Sequence, residues 1–267
     1  MERTPSGDMP FRDHLEELRQ RIIRSLAALV AGGAIALVVV MNVNVLGFLA
    51  QPILPYLHGR KLVYTHPADP FSIVMTAALS IGVLLALPVI LYQIWSFLSP
   101  ALYKHERRIA LWVLSSGTGL FALGAALAYF LILPMTLRFL IGLQPASMEP
   151  MITASEYFGF TIMMMLVFGA VFELPLVIVA LAALGLVTPA MLRGTRRAAL
   201  VTCVAGACII TPGDLIVTSA ALAIPMYLLY EASILVSGIV YRRRGRAVER
   251  EAETVDPAPA PAVPEDA

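Results

Sequence analysis

Six apolar runs divide the chain, and their lengths restrict what it can fold into. They cover about Ile22–Met41, Ile73–Trp95, Ile109–Leu133, Gly159–Leu186, Ala198–Ile210 and Leu215–Tyr241. A helical run of about 20 apolar residues matches the ~30 Å hydrocarbon core of a bilayer. In that medium the backbone N–H and C=O groups must pair within the segment, which selects helices. The expected fold class is therefore an all-α membrane protein with six transmembrane helices. The fifth run is too short to cross an unperturbed bilayer upright. Pro88, Pro134, Pro175 and Pro225 lie in or at the end of four runs. Each removes a backbone hydrogen bond, so these spans are expected to kink and the bundle to be curved and concave.

Composition supports the membrane assignment. The 267 residues are 59% hydrophobic and 14% charged, against roughly 25% charged for an average soluble domain. Mean hydropathy is +0.81. Net charge is only +1, so bulk charge names no partner and no nucleic acid is expected. Placement of charge is more informative. Lys and Arg number sixteen in the two tails and the loops at 96–108 and 187–197, against three in the alternate loops, namely Arg60, Lys61 and Arg138. By the positive-inside rule both termini are cytoplasmic, an N-in/C-in arrangement.

Three regions follow. Residues 1–21 form a cytoplasmic N-terminal segment whose amphipathic helix starts near Phe11. Phe11, Leu15, Leu18 and Ile22 share a face there, and Glu17 and Arg21 make a favourable i,i+4 pair. Met1 to Arg24 is too polar to read as a signal peptide. Residues 22–241 are the six-span domain, with Leu46–Leu57 expected as a short interfacial helix or hairpin in the first outer loop. Residues 242–267 are a basic, then acidic and Pro-rich, cytoplasmic tail that is expected to be disordered.

No phosphate loop, HExxH or GxSxG motif is present, and the four histidines lie outside the spans. Gly213-Asp214 is half of an intramembrane aspartyl-protease signature without a second membrane aspartate. Cys203 and Cys208 are five residues apart, on different helix faces, and suggest neither a disulfide nor a metal site. The expectation is a protein that is not an enzyme and needs no cofactor or metal.

The carboxylates are the candidate functional groups. Glu173 sits mid-span beside Pro175, where an ionised side chain costs at least ~2.5–3.5 kcal/mol on insertion scales. It is either a protonated structural contact or a polar contact for a partner or substrate. Glu231, in the sixth run, admits both readings too. Asp214, in the outer turn Thr211–Asp214, can cap the sixth helix. Glu17 and Glu106 lie on the cytoplasmic side at the ends of adjacent spans, with Glu106 among Lys104, Arg107 and Arg108 in the loop that follows Tyr92–Phe97. Two such acids can each take a guanidinium in bidentate fashion. The residues alone permit an arginine receptor without requiring one. A proton-coupled secondary transporter of a small solute, using Glu173 and Glu231, is the alternative.

The ordered motifs resemble one family. His14-Leu15-Glu16-Glu17-Leu18-Arg19, Pro88 to Phe97, Pro100 to Arg108, Phe168-Gly169 with Phe172-Glu173-Leu174-Pro175, Thr211-Pro212 with Asp214, and Ala223 to Tyr227 are similar to TatC. TatC is the receptor subunit of the twin-arginine (Tat) protein translocase. The resemblance covers about residues 11–241. It implies a glove-shaped protein of the plasma (inner) membrane that binds twin-arginine signal peptides of folded cargo. It further implies assembly with TatA-like and TatB-like single-span subunits in a homo-oligomeric receptor complex, and export driven by the proton-motive force. By position, Glu17 and Glu106 would contact the two arginines, with Phe97, Arg19 and Lys104 in the same patch. Pro52 would be the family's first-outer-loop proline, and Glu173 its mid-membrane glutamate. Gly213 stands where the family often has a second proline, and Thr218 where it often has Gln; Asp214 and Thr218 would contact a partner helix.

Overall fold

The computed structural model describes residues 11–98, 107–142, 151–183, 185–210, 219–220 and 222–238. Among these, helix α1 runs Phe11–Asn42 and α2 covers Val45–Ala50, continued by a 3-10 turn at Gln51–Tyr56. Helix α3 is Asp69–Leu98, and α4, Arg107–Leu127, passes through a π-helical turn at Ala128–Ile132 into α5, Leu133–Gly142. Then come α6 (Ala154–Phe172), α7 (Leu174–Ala183), α8 (Pro189–Gly194) and α9 (Arg196–Ile210). Helix α10 spans Leu222–Gly238.

Among the described residues, four stretches are long and apolar enough to cross a membrane: Leu15–Asn42, Asp69–Phe97, Ser115–Gly142 and Ala154–Ala182. Helix α9 covers 15 residues, and the residues after it and on either side of α10 lie outside the described set. The 32 residues of α1 make a rod about 48 Å long, some 18 Å more than a hydrocarbon core needs. The N-terminal turns that carry Glu17 therefore extend beyond the apolar span. Leu26, Val30, Ile35 and Val38 stay exposed along α1, an outer surface that suits lipid.

Small residues set the spacing of the main helices. α1 packs antiparallel along α3 at Gly32 and Gly82, where a Cβ on Gly32 would lie 2.7 Å from the Gly82 carbonyl oxygen. α4 packs antiparallel on α6 at Gly124 and Gly169, against Phe168, Phe172 and Phe121. Close backbone approach of this kind is how helices associate in lipid, where apolar burial supplies little drive.

Two boundaries differ from the expected ones. The third apolar run does not end at Pro134 but continues as helix to Gly142. Pro134 cannot donate to the carbonyl one turn back, and its ring crowds that carbonyl. The widened turn just upstream, in which Leu133 N–H bonds Ala128 O, makes room for it. The fourth run, conversely, breaks at Glu173. Pro175 has no N–H for the Val171 carbonyl, and the Glu173 N–H turns back to Ala170 and Val171 instead. In addition, the basic loop after the fourth run contains α8, capped by Thr188 Oγ1, which accepts from Met191 N–H at 3.2 Å.

At the end of the bundle away from the N-terminus, α2 and its 3-10 turn form a lid. Asn44 caps α2, its side chain accepting from Gly47 N–H at 3.0 Å. Tyr157 donates to Leu49 O at 2.7 Å and Tyr129 to Phe48 O at 2.5 Å. The Tyr129 ring also stacks on Phe48 with centroids 4.8 Å apart. Ile53 is fully buried beneath. Ala154 N–H reaches Val63 O at 2.7 Å, which ties the connection before α3 to the start of α6.

Candidate functional site

Glu17 lies on α1 two turns before Arg24, and its carboxylate is partly buried. Arg21, one turn on, contacts a single oxygen of it, Oε1, through both Nε, at 3.1 Å, and Nη2. The remaining Arg21 nitrogen, Nη1, donates to the backbone oxygen of Gln93 on α3 at 3.4 Å. The side chains of Arg21 and Glu17 are 15% and 25% exposed. The ion pair lies within α1, and the Arg21–Gln93 hydrogen bond joins the N-terminal part of α1 to the C-terminal part of α3.

The geometry follows from the crossing at Gly32 and Gly82. Arg21 precedes Gly32 by eleven residues, and Gln93 follows Gly82 by eleven. Eleven residues are about three helical turns, so both side chains return to the contact face. Phe97 stands one further turn along that stripe of α3 and is half-buried. Arg19 is exposed and, two residues from Glu17, projects from a different face of α1. The structure thus brings Glu17, Arg21, Gln93 and the Phe97 turn together and leaves Arg19 apart. Glu106 and Lys104 lie outside the described residues, in the connection between the end of α3 and the start of α4.

Glu173 occupies the break between α6 and α7. Both of its carboxylate oxygens are buried without a hydrogen-bond partner among the described residues. A Cβ on Gly117 of α4 would stand 3.2 Å from Glu173 Oε2 and 3.0 Å from Leu176, so the glycine keeps α4 close to this acid. The hydroxyl of Thr118, the next residue, is also buried without a partner among the described residues. Pro52 is half-buried in the 3-10 turn of the lid, next to Ile53. Asp214 and Thr218 lie outside the described residues. Glu231 is held structurally: its carboxylate takes Arg196 Nη2 at 2.7 Å and Tyr227 OH at 3.0 Å.

Reading the residues along the chain missed Gln93 and the paired glycines. Gln93 looks like an ordinary amide near a membrane boundary. Only the equal eleven-residue offsets from Gly32 and Gly82 carry a signal, and they become readable once α1 and α3 are known to cross there.

Comparison with known proteins bears on the whole chain. Residues 13–225 match the family model "TatC: Sec-independent protein translocase protein (TatC)". The chain is 36% identical over 248 residues to the Sec-independent protein translocase protein TatC of Desulforapulum autotrophicum, covering 92% of this chain and 91% of that one. It is 37% identical over 238 residues to the protein of the same name from Aquifex aeolicus, covering 88% and 98%. A solved structure of the twin arginine translocase receptor TatC superposes with a TM-score of 0.69 at 37% identity, covering 85% of this chain and 99% of that one. A second, of the same receptor in DDM, gives 0.71 at 38% identity, covering 84% and 99%. The chain is thus a multi-pass membrane protein that belongs to the TatC family of Sec-independent protein translocase proteins.

Proposed function

We propose that this chain is the receptor subunit of a twin-arginine translocase, binding twin-arginine signal peptides of folded cargo at its cytoplasmic face. The observation that carries the reading is Glu17, partly buried and held against the end of α3 one turn from Phe97. It stands at the end of the bundle from which the Glu106 connection departs. Glu17 and Glu106 each receive one guanidinium of the signal peptide, whose planar, fixed fork of donors lysine cannot reproduce. Phe97 packs on the peptide's apolar part, and Arg19 and Lys104 complete the patch. Both termini are cytoplasmic, as the distribution of basic residues favours. Six spans, the fifth of them short, form a curved, concave bundle between the segment 1–21 and the tail 242–267.

In the same reading Glu173, Asp214 and Thr218 contact a partner helix or an inserted peptide, and Pro52 holds the outer lid. TatA-like and TatB-like subunits and further copies of the receptor assemble around the chain in the inner membrane, and the proton-motive force drives export. The solute-transport alternative is not favoured: the matched relatives are protein translocase components.

The decisive experiment uses the full chain in lipid nanodiscs and a labelled signal peptide carrying Arg-Arg or Lys-Lys. The native protein should prefer the Arg-Arg peptide, and Glu17→Gln with Glu106→Gln should abolish that preference. Equal binding by the double variant and the native protein would sink the receptor assignment.

A further inference from the structure

We infer that Arg21, anchored on Gln93, is a positioning residue that presets Glu17 for its ligand guanidinium. This rests on the reading of Glu17 given above. Arg21 uses Nε and Nη2 on Oε1 alone, and no residue described donates to Oε2. One oxygen of the carboxylate is thus fixed and the other is open to an incoming donor. A glutamate side chain has several rotamers, and ordering one on binding weakens affinity. Here the ordering is already done by a neighbour on the same helix.

Arg21 is itself held. Its Nη1 donates to Gln93 O at 3.4 Å, a carbonyl near the C-terminal end of α3, where the helix dipole favours a cation. Gln93 is 8% exposed, and its side-chain Oε1 is buried with no hydrogen-bond partner among the described residues. That residue therefore offers a second, unused acceptor. Arginine carries five N–H donors, so Arg21 can keep its anchor on α3 while sharing Glu17 with a ligand. Lysine, with one nitrogen, cannot bridge Glu17 and Gln93 in this way.

The test is a binding cycle on the full chain in lipid nanodiscs with the labelled Arg-Arg signal peptide, comparing Arg21→Gln, Arg21→Lys, Glu17→Gln and the double variant Arg21→Gln/Glu17→Gln. Arg21→Gln should weaken binding roughly tenfold, about 1.4 kcal/mol, with Arg21→Lys intermediate. In the Glu17→Gln background Arg21→Gln should cause no further loss, because its effect passes through Glu17. A purely structural role would instead multiply the two losses, and that result overturns the proposal. Unchanged or tighter binding by Arg21→Gln, while Glu17→Gln still weakens it, overturns the proposal and leaves the receptor reading intact. No effect of Glu17→Gln ends both. Should Arg21→Gln fail to fold, the same cycle with Arg21→Lys decides.

Discussion

Gly32 of α1 and Gly82 of α3 meet backbone to backbone. A Cβ on Gly82 would stand 2.7 Å from both the amide nitrogen and the Cα of Gly33, so neither helix can move aside by turning one side chain. Gly82→Val is expected to cost roughly 1–3 kcal/mol by overpacking and, by splaying the helices, to weaken signal-peptide binding. Gly33 is the control, since a Cβ there meets nothing within 4 Å. Gly33→Ala should leave both properties near native. Thermal unfolding and peptide binding in nanodiscs check the pair, and equal damage from the two changes contradicts the crossing geometry.

The two tyrosines that hold the lid should differ in degree. Tyr157→Phe and Tyr129→Phe each remove the donor to a backbone carbonyl of α2. Phe48 O keeps the Gln51 N–H, so Tyr129→Phe loses one hydrogen bond, about 0.5–1.5 kcal/mol, whereas the buried Tyr157 bond is worth roughly 1–3 kcal/mol. Both variants should unfold at lower temperature, and a probe cysteine at Leu49, buried in the native lid, should label faster.

Glu173 should trade stability against function. Its two buried oxygens lack partners among the described residues, and such groups cost free energy unless something else satisfies them. Glu173→Leu is therefore expected to raise the unfolding temperature of the isolated chain while lowering export of a twin-arginine reporter. A less stable variant with normal export contradicts both halves of the argument.

Glu231 gives the contrasting case. Both of its carboxylate oxygens have partners, Arg196 Nη2 on one and Tyr227 OH on the other. A Gln keeps one acceptor oxygen but not the charge, so Glu231→Gln should cost about 1 kcal/mol, the difference between a charge-assisted and a neutral hydrogen bond, and leave signal-peptide binding at native strength.

Much of the helical order was legible residue by residue. The first and second runs became helices near their expected limits because length and hydropathy alone decide what survives in lipid. Glu17 and Arg21 were legible as a pair because i,i+4 spacing is local. Pro134 misled, since a widened turn can absorb a proline and whether one forms depends on the neighbours packed on α4 and α5. The break at Glu173 was half legible: Pro175 announced it, but the turn at Glu173 comes from where the freed Val171 carbonyl finds a donor.

By itself, the sequence determined a membrane-embedded all-helical chain and, through its ordered motifs, its family. These depend on composition and on the order of residues along the chain, which need no partner in space. Only the tertiary structure decided that Arg21 is shared between Glu17 and Gln93, that Gly32 faces Gly82 and that Gly117 lies against Glu173. Such contacts join residues tens of positions apart, and they exist only because two helices cross at one particular register.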